Sequence, residues 1–254
     1  MRLTLLAHGS PDPRHAHDVG LLAARLHSAG IEAGPAYLDH DAPTPTQAAR
    51  AMSAEGVPAT TVVPLLVAPA YHARVDVPAA VACMRRAAPD LRVSAADPVG
   101  LHPLLLAGAV ELLERSELTL GPRTGVIIAF TGSRDMHAVT AIEDLVRAYR
   151  NALVEQLGVR SVRTAHLDGG RPVGRVRTLM RCVDGCRDFV VVTAMIADGI
   201  LRDRIVTSAG LVDVPVAPGT LAQTSALMEL VTLRAESAPR PPLDLRTPLP
   251  SSAR

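Results

Sequence analysis

Lysine is absent from this sequence, and the 26 basic residues are all arginine. Schiff-base catalysis and the phosphate-binding P-loop both need a lysine, so both are excluded. Aromatic residues make up only 2% and tryptophan is missing, which argues against stacking platforms for nucleic-acid bases. The 25 acidic residues leave a net charge of +1, which predicts no basic surface for nucleic acid or anionic lipid.

Cysteines and long hydrophobic runs are also scarce. The three cysteines, Cys83, Cys182 and Cys186, are too few for a disulfide framework and fit a reducing compartment. No apolar run approaches the roughly 20 residues that span a bilayer. Asp12 and Arg14 interrupt the N-terminal segment before any cleavage-like site. We therefore expect a cytoplasmic protein that neither crosses nor binds a membrane.

Short apolar runs alternate with segments of helical period. Because the runs are continuously hydrophobic, the strands are expected to be buried on both faces, as in a parallel sheet covered by helices. Strands are predicted at residues 3–7, 31–38, 60–67, 91–95, 126–130, 159–167, 189–195 and 211–216. Helices are predicted at residues 15–28, 44–54, 76–88, 103–115, 138–157, 173–183, 200–209 and 221–234.

The two halves of the chain resemble each other. AHGS at residues 7–10 aligns with FTGS at residues 130–133, and residues 62–76 align with residues 191–205. This predicts an α/β fold of two similar lobes from a duplicated βα unit, each with a mainly parallel four-stranded sheet flanked by helices. The lobes are placed at residues 1–118 and 119–235, and a proline-rich, disordered tail is placed at residues 236–254.

Two histidines follow strands of the first half. His8 leaves the first strand directly and His72 lies just past the third, so both are expected at the carboxyl rim where such sheets bind ligands. The second half has Thr131 and Leu201 near the corresponding positions. A strand-end histidine is often only a cap or hydrogen-bonding group. However, the first half has two histidines on one rim, and the second half has neither. This favours a functional site in the first lobe and a degenerate one in the second.

Other polar residues give weaker signals. His15 and His17 are expected to be solvated at the start of a helix. Cys182 and Cys186 lie four residues apart on a predicted helix, but a closed zinc or Fe–S site normally needs four ligands, so packing is favoured and no Fe–S cluster is expected. No GxGxxG follows a strand, which leaves a dinucleotide site unsupported.

Two stretches carry a family resemblance. LLAHGSPDP at residues 5–13 and VVPLLVAPAYHARVDVP at residues 62–78 resemble the signature segments of the CbiX/SirB class of sirohydrochlorin chelatases. DPVGLHP at residues 97–103 resembles a third element of that class. The likeness extends over residues 2–234, because long members of the family have the same duplicated arrangement. Ala70 and Tyr71 replace the glycine pair that the family places before its second histidine.

The resemblance implies a lyase that inserts a divalent metal, Fe²⁺ or Co²⁺, into the anionic tetrapyrrole sirohydrochlorin without an organic cofactor. It implies that His8 and His72 are the catalytic residues and the metal ligands. Imidazole suits both tasks, because it binds such metals as a neutral nitrogen and titrates near neutral pH.

Further roles follow from the same resemblance. Ser10, Arg14 and Arg74 are expected to bind the substrate's carboxylates, helped by backbone N–H groups at the helix start after Gly9. Asp76 is expected to cap the next helix and to orient His72. Asp39 loosely matches the acidic residue that the family places after its second strand.

Several functions stay open at this point. Iron insertion, giving sirohaem, is the first choice, and cobalt insertion towards cobalamin is the nearest alternative. A non-catalytic two-lobe protein could close around an anionic ligand, and a metal carrier could use the pairs His15/His17 and Cys182/Cys186. A monomer is expected, since the duplication supplies both lobes.

Overall fold

The computed structural model describes residues 2–67, 71–133, 135–168 and 170–239, and the side chains of residues 71–74 lie outside the described part. Two separate parallel sheets form the framework, with strand orders β2-β1-β3-β4 and β6-β5-β7. The strands of the first are β1 (Arg2–Ala7), β2 (Ala33–Tyr37), β3 (Ala59–Pro64) and β4 (Arg92–Ala95). Those of the second are β5 (Thr124–Phe130), β6 (Ser161–His166) and β7 (Asp188–Thr193).

Helices connect the strands and cover both sheets. They are α1 (Pro13–Ser28), α2 (Pro45–Ala54), α3 (Tyr71–Ala87), α4 (Pro103–Glu114), α5 (Met136–Leu157), α6 (Val173–Cys182), α7 (Ile200–Gly210) and α8 (Ser225–Glu236). Prolines stand in the first turns of α1, α2 and α4, where a missing N–H is harmless. Among the described residues no helix is long and apolar enough to cross a membrane.

The α/β class and the two-lobed parallel architecture are confirmed, but the predicted strand at residues 211–216 is wrong. Helix α7 continues to Gly210, and the Val214 N–H then closes the helix end on the carbonyl of Ala209. Only Val216 pairs with the sheet, through a single bridge to Val191. Pro215 just before it has no N–H to extend the ladder. The second sheet therefore has three strands.

Helix α3 starts earlier than predicted. It begins at Tyr71, so Asp76 lies inside the helix and does not cap it. Pro78, which suggested a helix start, is also internal and removes one backbone hydrogen bond. The capping role expected for Asp76 is therefore wrong.

One hydrophobic core joins the lobes. It contains Leu5, Leu22 and Leu106 from the first half together with Ile128 and Leu230 from the second. Helix α8 follows the second sheet in sequence, yet its start is held by α4. There the Glu111 carboxylate accepts the N–H groups of Ser225 and Ala226, each at 2.8 Å. The lobes therefore share a core through their helices.

The two sheets lie in different halves of the chain. Strands β1–β4 fall within residues 1–118 and β5–β7 within residues 119–235. The chain between Glu114 and Thr124 contains the predicted join. Because α8 packs across that division, the exact limits of the lobes stay a prediction. Residues 240–254 of the predicted tail lie outside the described residues.

Candidate active site

The loop after β1 is built around Gly9. Its φ of +93° is rarely adopted by other residues, and a Cβ there would collide with the backbone oxygen of Asp39. The Asp39 N–H donates to the carbonyl of His8 at 2.8 Å. Glycine thus lets the loops after β1 and β2 meet, and their contact fixes the backbone of His8 at the rim of the sheet.

The loop after β5 repeats this geometry. Gly132 has a φ of +77°, and a Cβ there would collide with the backbone oxygen of Asp168. The Asp168 N–H donates to the carbonyl of Thr131 at 3.0 Å. The duplication inferred from sequence is therefore visible in the backbone, with Thr131 in the place of His8.

Protein groups already satisfy the start of α1. The Ser10 N–H donates to Asp41 Oδ2 at 3.0 Å, and the Asp12 N–H donates to Ser10 Oγ at 3.1 Å. Asp12 then caps the helix by accepting the N–H of Arg14 at 3.1 Å. These N–H groups were expected to receive a substrate anion, and that expectation is wrong because acidic and hydroxyl side chains of the chain itself accept them.

His8 faces a cleft of about 320 Å³ between the lobes. Its Nδ1 lies 3.3 Å from the carbonyl oxygen of Gly9, and if Nδ1 carries the proton, the lone pair is on Nε2. The second lobe lines the cleft with side chains that do not titrate, including Phe130, Thr131 and Leu201. Thr131 and Leu201, the predicted counterparts of the two histidines, therefore face the same cleft as His8.

A second cavity, of about 410 Å³, lies against His8 within the first lobe. Asp39, Asp76 and Cys83 line it together with His8. The structure thus brings together three residues that were predicted from sequence: His8 at the end of β1, Asp39 after β2 and Asp76 on α3. Asp76 follows residue 72 by one helical turn on α3. The predicted roles of the His72 and Arg74 side chains lie outside the described residues.

Arg14 is held between the lobes. Its guanidinium donates to both oxygens of Asp203 at 3.0 and 2.6 Å and to both oxygens of Asp12 at 3.1 and 2.6 Å. These carboxylates raise the pKa of Arg14 above its usual value, and Arg14 lowers the pKa of Asp203. Neither Ser10 nor Arg14 is among the described residues that line the two cavities beside His8.

His15 also lines the interlobe cleft, so its predicted solvation is wrong. Its Nδ1 is buried and has no hydrogen-bond partner among the described residues. Burial lowers the pKa of His15, and the nearby Asp41 carboxylate opposes that shift. Helix α1 starts at Pro13, two residues before the predicted start, which places His15 in the first turn beside the loop of His8.

The histidine of the DPVGLHP element and the cysteine pair also have structural explanations. His102 caps α4, because its Nδ1 accepts the N–H of Leu104 at 3.2 Å. Helix α6 ends at Cys182, so Cys186 does not share its face. Cys182 is exposed, whereas Cys186 is buried. No group of three or more potential metal ligands forms among the side chains that the structure describes.

Comparison with known proteins identifies relatives of both halves. The CbiX family matches residues 2–116. A sirohydrochlorin cobaltochelatase of Priestia megaterium is 24% identical over 206 residues, which are 79% of this chain, and the chain spans 65% of that relative's length. The structure of SirB from Bacillus subtilis with Fe³⁺ has a TM-score of 0.68 at 21% identity, covering 93% of this chain and 95% of SirB.

A second SirB structure, from Bacillus subtilis subspecies spizizenii in complex with cobalt, has a TM-score of 0.62 at 18% identity and covers 93% of this chain and 94% of the relative. At these identities the two structures show a common two-lobed fold. The match at residues 2–116 contains β1 to α4, the segment that carries His8, Asp39 and Asp76. The N-terminal lobe of the chain is therefore similar to the CbiX family.

Proposed function

We propose that this chain is a sirohydrochlorin chelatase, and that it inserts Fe²⁺ to give sirohaem. The observation that carries the proposal is the position of His8, at the end of β1 and facing a cleft between two lobes. The relatives support the reaction class, because the curated one is named a sirohydrochlorin cobaltochelatase and SirB is named a sirohydrochlorin chelatase. Cobalt insertion is the alternative.

The chemistry requires a neutral nitrogen ligand and a proton acceptor. Insertion replaces two pyrrole N–H protons by one divalent cation, so the site must deliver the metal and remove the protons. In the tautomer whose Nδ1–H donates to the Gly9 carbonyl, Nε2 of His8 can bind the metal or accept a proton. We assign the same pair of tasks to His72, on the basis of the sequence resemblance.

The two cavities beside His8 suggest separate routes for the two substrates. Carboxylates attract divalent cations, and Asp39 and Asp76 line the cavity within the first lobe. The interlobe cleft has an apolar wall, formed in part by Phe130 and Ile142, which suits the face of a macrocycle. We propose that the metal reaches His8 from the carboxylate side and the tetrapyrrole from the cleft. Asp76 would also orient His72 from the next helical turn.

The substrate's carboxylates need donors at the edge of the cleft. The cleft volume is near the lower end of the range for small-molecule pockets, about 300–1,000 Å³, so the carboxylate arms would extend to its mouth. We assign Ser10, Arg14 and Arg74 to these arms. The metal is a substrate in this scheme, no organic cofactor is needed, and a cytoplasmic monomer suffices.

The direct test is metal insertion by the purified protein. Sirohydrochlorin and either Fe²⁺ or Co²⁺ are added without oxygen to a small amount of protein, and the visible spectrum is followed. We expect several turnovers per protein molecule, and the faster metal identifies the physiological one. Stoichiometric macrocycle binding without turnover would instead support a non-catalytic two-lobe binder. Metal binding without any effect on the macrocycle would support a metal carrier.

A further inference from the structure

A cavity of about 780 Å³ lies at the outer edge of the second sheet. Four arginines line it: Arg150 from α5, Arg163 from β6, Arg171 from the turn before α6, and Arg175 from the first turn of α6. We call it the arginine cavity. It lies against β6, an edge strand of its sheet, and none of its described lining residues also lines the interlobe cleft.

Two of the four arginines have carboxylate partners. Arg163 donates through Nε and Nη2 to both oxygens of Asp184, each at 2.6 Å, and lowers the pKa of that carboxyl. Arg171 pairs with Glu143, with 3.0 Å between Nη1 and Oε1. The charges of this pair of arginines are therefore compensated within the second lobe.

The other two arginines form no ion pair with a described carboxylate, although Arg150 also feels the charge of Asp184. Among the described residues, Arg175 donates only to the carbonyl of Gly170, at 3.2 Å. Arg150 has no hydrogen bond or ion pair with another described residue, and its Nε is buried. A buried guanidinium N–H without an acceptor is unfavourable and is normally paired. Four arginines beside two paired carboxylates, Asp184 and Glu143, therefore leave the arginine cavity with an excess of positive charge.

The rest of the lining indicates the kind of anion. Val176 and Leu179 provide apolar surface on one side, and the hydroxyl of Thr164 provides a further donor. Helix α6 begins there without a side-chain cap, so the positive end of its dipole faces the same region. The volume lies within the range of pockets for small organic ligands.

We infer that the arginine cavity binds a small organic dianion, of the phosphate monoester or dicarboxylate type, with an apolar body. Arg150 and Arg175 would bind the charged groups, and Val176 and Leu179 would contact the body. This site is independent of the proposed chelatase activity, and it gives the second lobe a binding role of its own.

Calorimetric titration at low ionic strength tests the inference. The probes are inorganic phosphate, phenyl phosphate and succinate, which separate a phosphate site from a dicarboxylate site and show whether an apolar group adds affinity. We expect saturable binding of at least one dianion to the full-length protein, tighter for phenyl phosphate than for inorganic phosphate if the ligand is a phosphate ester. Absence of binding for all three would overturn the inference.

Matched variants locate the site. Arg150→Gln and Arg175→Gln should each weaken the binding by about tenfold, because each removes charge-assisted hydrogen bonds. Arg147→Gln removes the same charge from α5 one turn earlier, where the exposed Arg147 pairs with Asp144, and should leave binding unchanged. Equal losses in all three variants would indicate nonspecific attraction and contradict the site.

Arg175 is exposed, so the Arg175→Gln variant is informative even if Arg150→Gln does not fold. Metal insertion should be unaffected in all three.

Discussion

The guanidinium of Arg14 in the first lobe is hydrogen-bonded side by side to the carboxylate of Asp203 in the second. A buried link lies nearby, where the Asp18 carboxylate accepts the N–H of Asp198 at 2.8 Å and the hydroxyl of Thr220 at 2.7 Å. Asp18 is only 3% exposed, whereas Arg14 and Asp203 are open to solvent. The lobes are thus joined by a buried contact and by an exposed ion pair that a ligand could exchange.

The exposed ion pair between Arg14 and Asp203 predicts opposite effects of substituting its two members. If Arg14 binds a substrate carboxylate, it must leave Asp203 to do so. Arg14→Gln should then raise KM for the tetrapyrrole with a smaller effect on kcat, whereas Asp203→Asn should lower KM because the competing carboxylate is neutralised. Steady-state kinetics at low salt measures both. A rise in KM in both variants would mean that Arg14 only joins the lobes.

Removal of the His8 imidazole should abolish most metal insertion. Contributions of a positioned acid or base are typically 10²–10⁴-fold, so His8→Ala should lower turnover by at least about 10²-fold while tetrapyrrole binding and thermal stability change little. His17→Ala is the matched control, since His17 is an exposed histidine on α1. The double variant His8→Ala/His72→Ala should be little worse than the worse single one, because groups acting as a unit are not additive. Normal turnover of His8→Ala would reduce His8 to a structural residue.

The repeated loops allow structure and chemistry to be separated. Gly9→Ala and Gly132→Ala each introduce a collision with a neighbouring backbone oxygen, so both should lower the free energy of unfolding. Gly30→Ala is the control, since Gly30 has a φ of +83° but open space around it. We expect it to cost about 1–2 kcal/mol, the strain of a left-handed residue alone, and the other two to cost more. Chemical denaturation measures this.

Activity should distinguish Gly9→Ala from Gly132→Ala. Gly9→Ala displaces the loop that holds His8, so the turnover per folded protein molecule should fall. The second displaces the equivalent loop beside Thr131 and should leave the turnover of folded protein largely intact. Equal loss of turnover in both would show that the second lobe takes part in the chemistry.

The sequence predicted the features that depend on local pattern. Continuous apolar runs located the seven strands, and the repeated Gly-Ser after β1 and β5 marked two loops with the same geometry. The strand-end position of His8 was enough to place it at a cleft. These features follow from burial on both faces of a sheet and from the conformational freedom of glycine.

Features that depend on tertiary contacts were missed. His15 faces the cleft because α1 starts at Pro13, and a shift of two residues changes which side of a helix is buried. Asp41 was not singled out, yet it accepts the Ser10 N–H from another loop. Residues 211–216 have strand composition, but residues 212–214 close the end of α7 and Val216 alone bridges to the sheet. Nothing in local sequence indicates these long-range partners.

His166 in the second lobe predicts a loss of stability in mild acid. It ends β6, is 1% exposed and stacks on Phe130 with 6.2 Å between ring centroids. Neither ring nitrogen has a hydrogen-bond partner among the described residues. Glu143 Oε1 lies 3.8 Å from Nε2 and is itself paired with Arg171.

Burial lowers the pKa of His166, Glu143 opposes this, and Arg171 adds to it. The folded protein therefore holds His166 neutral at pH values where the unfolded chain, with a pKa of about 6.5, already binds a proton. The contribution of His166 to the free energy of unfolding is complete above about pH 6.5. It declines as the pH falls towards the lowered pKa of His166 in the folded protein, because the unfolded chain binds the proton more readily.

Denaturation of the wild type and of His166→Leu at pH 7.5 and 5.5 checks this. We expect the free energy of unfolding to fall more between the two pH values in the wild type than in the variant. His15 and His102, whose pKa values are also lowered by burial, contribute equally to both proteins and cancel in the comparison. His17→Leu, at an exposed position, should keep the wild-type pH dependence. The same pH dependence in His166→Leu would mean that His166 gains a proton as readily in the folded protein as in the unfolded chain, which its burial beside Phe130 argues against.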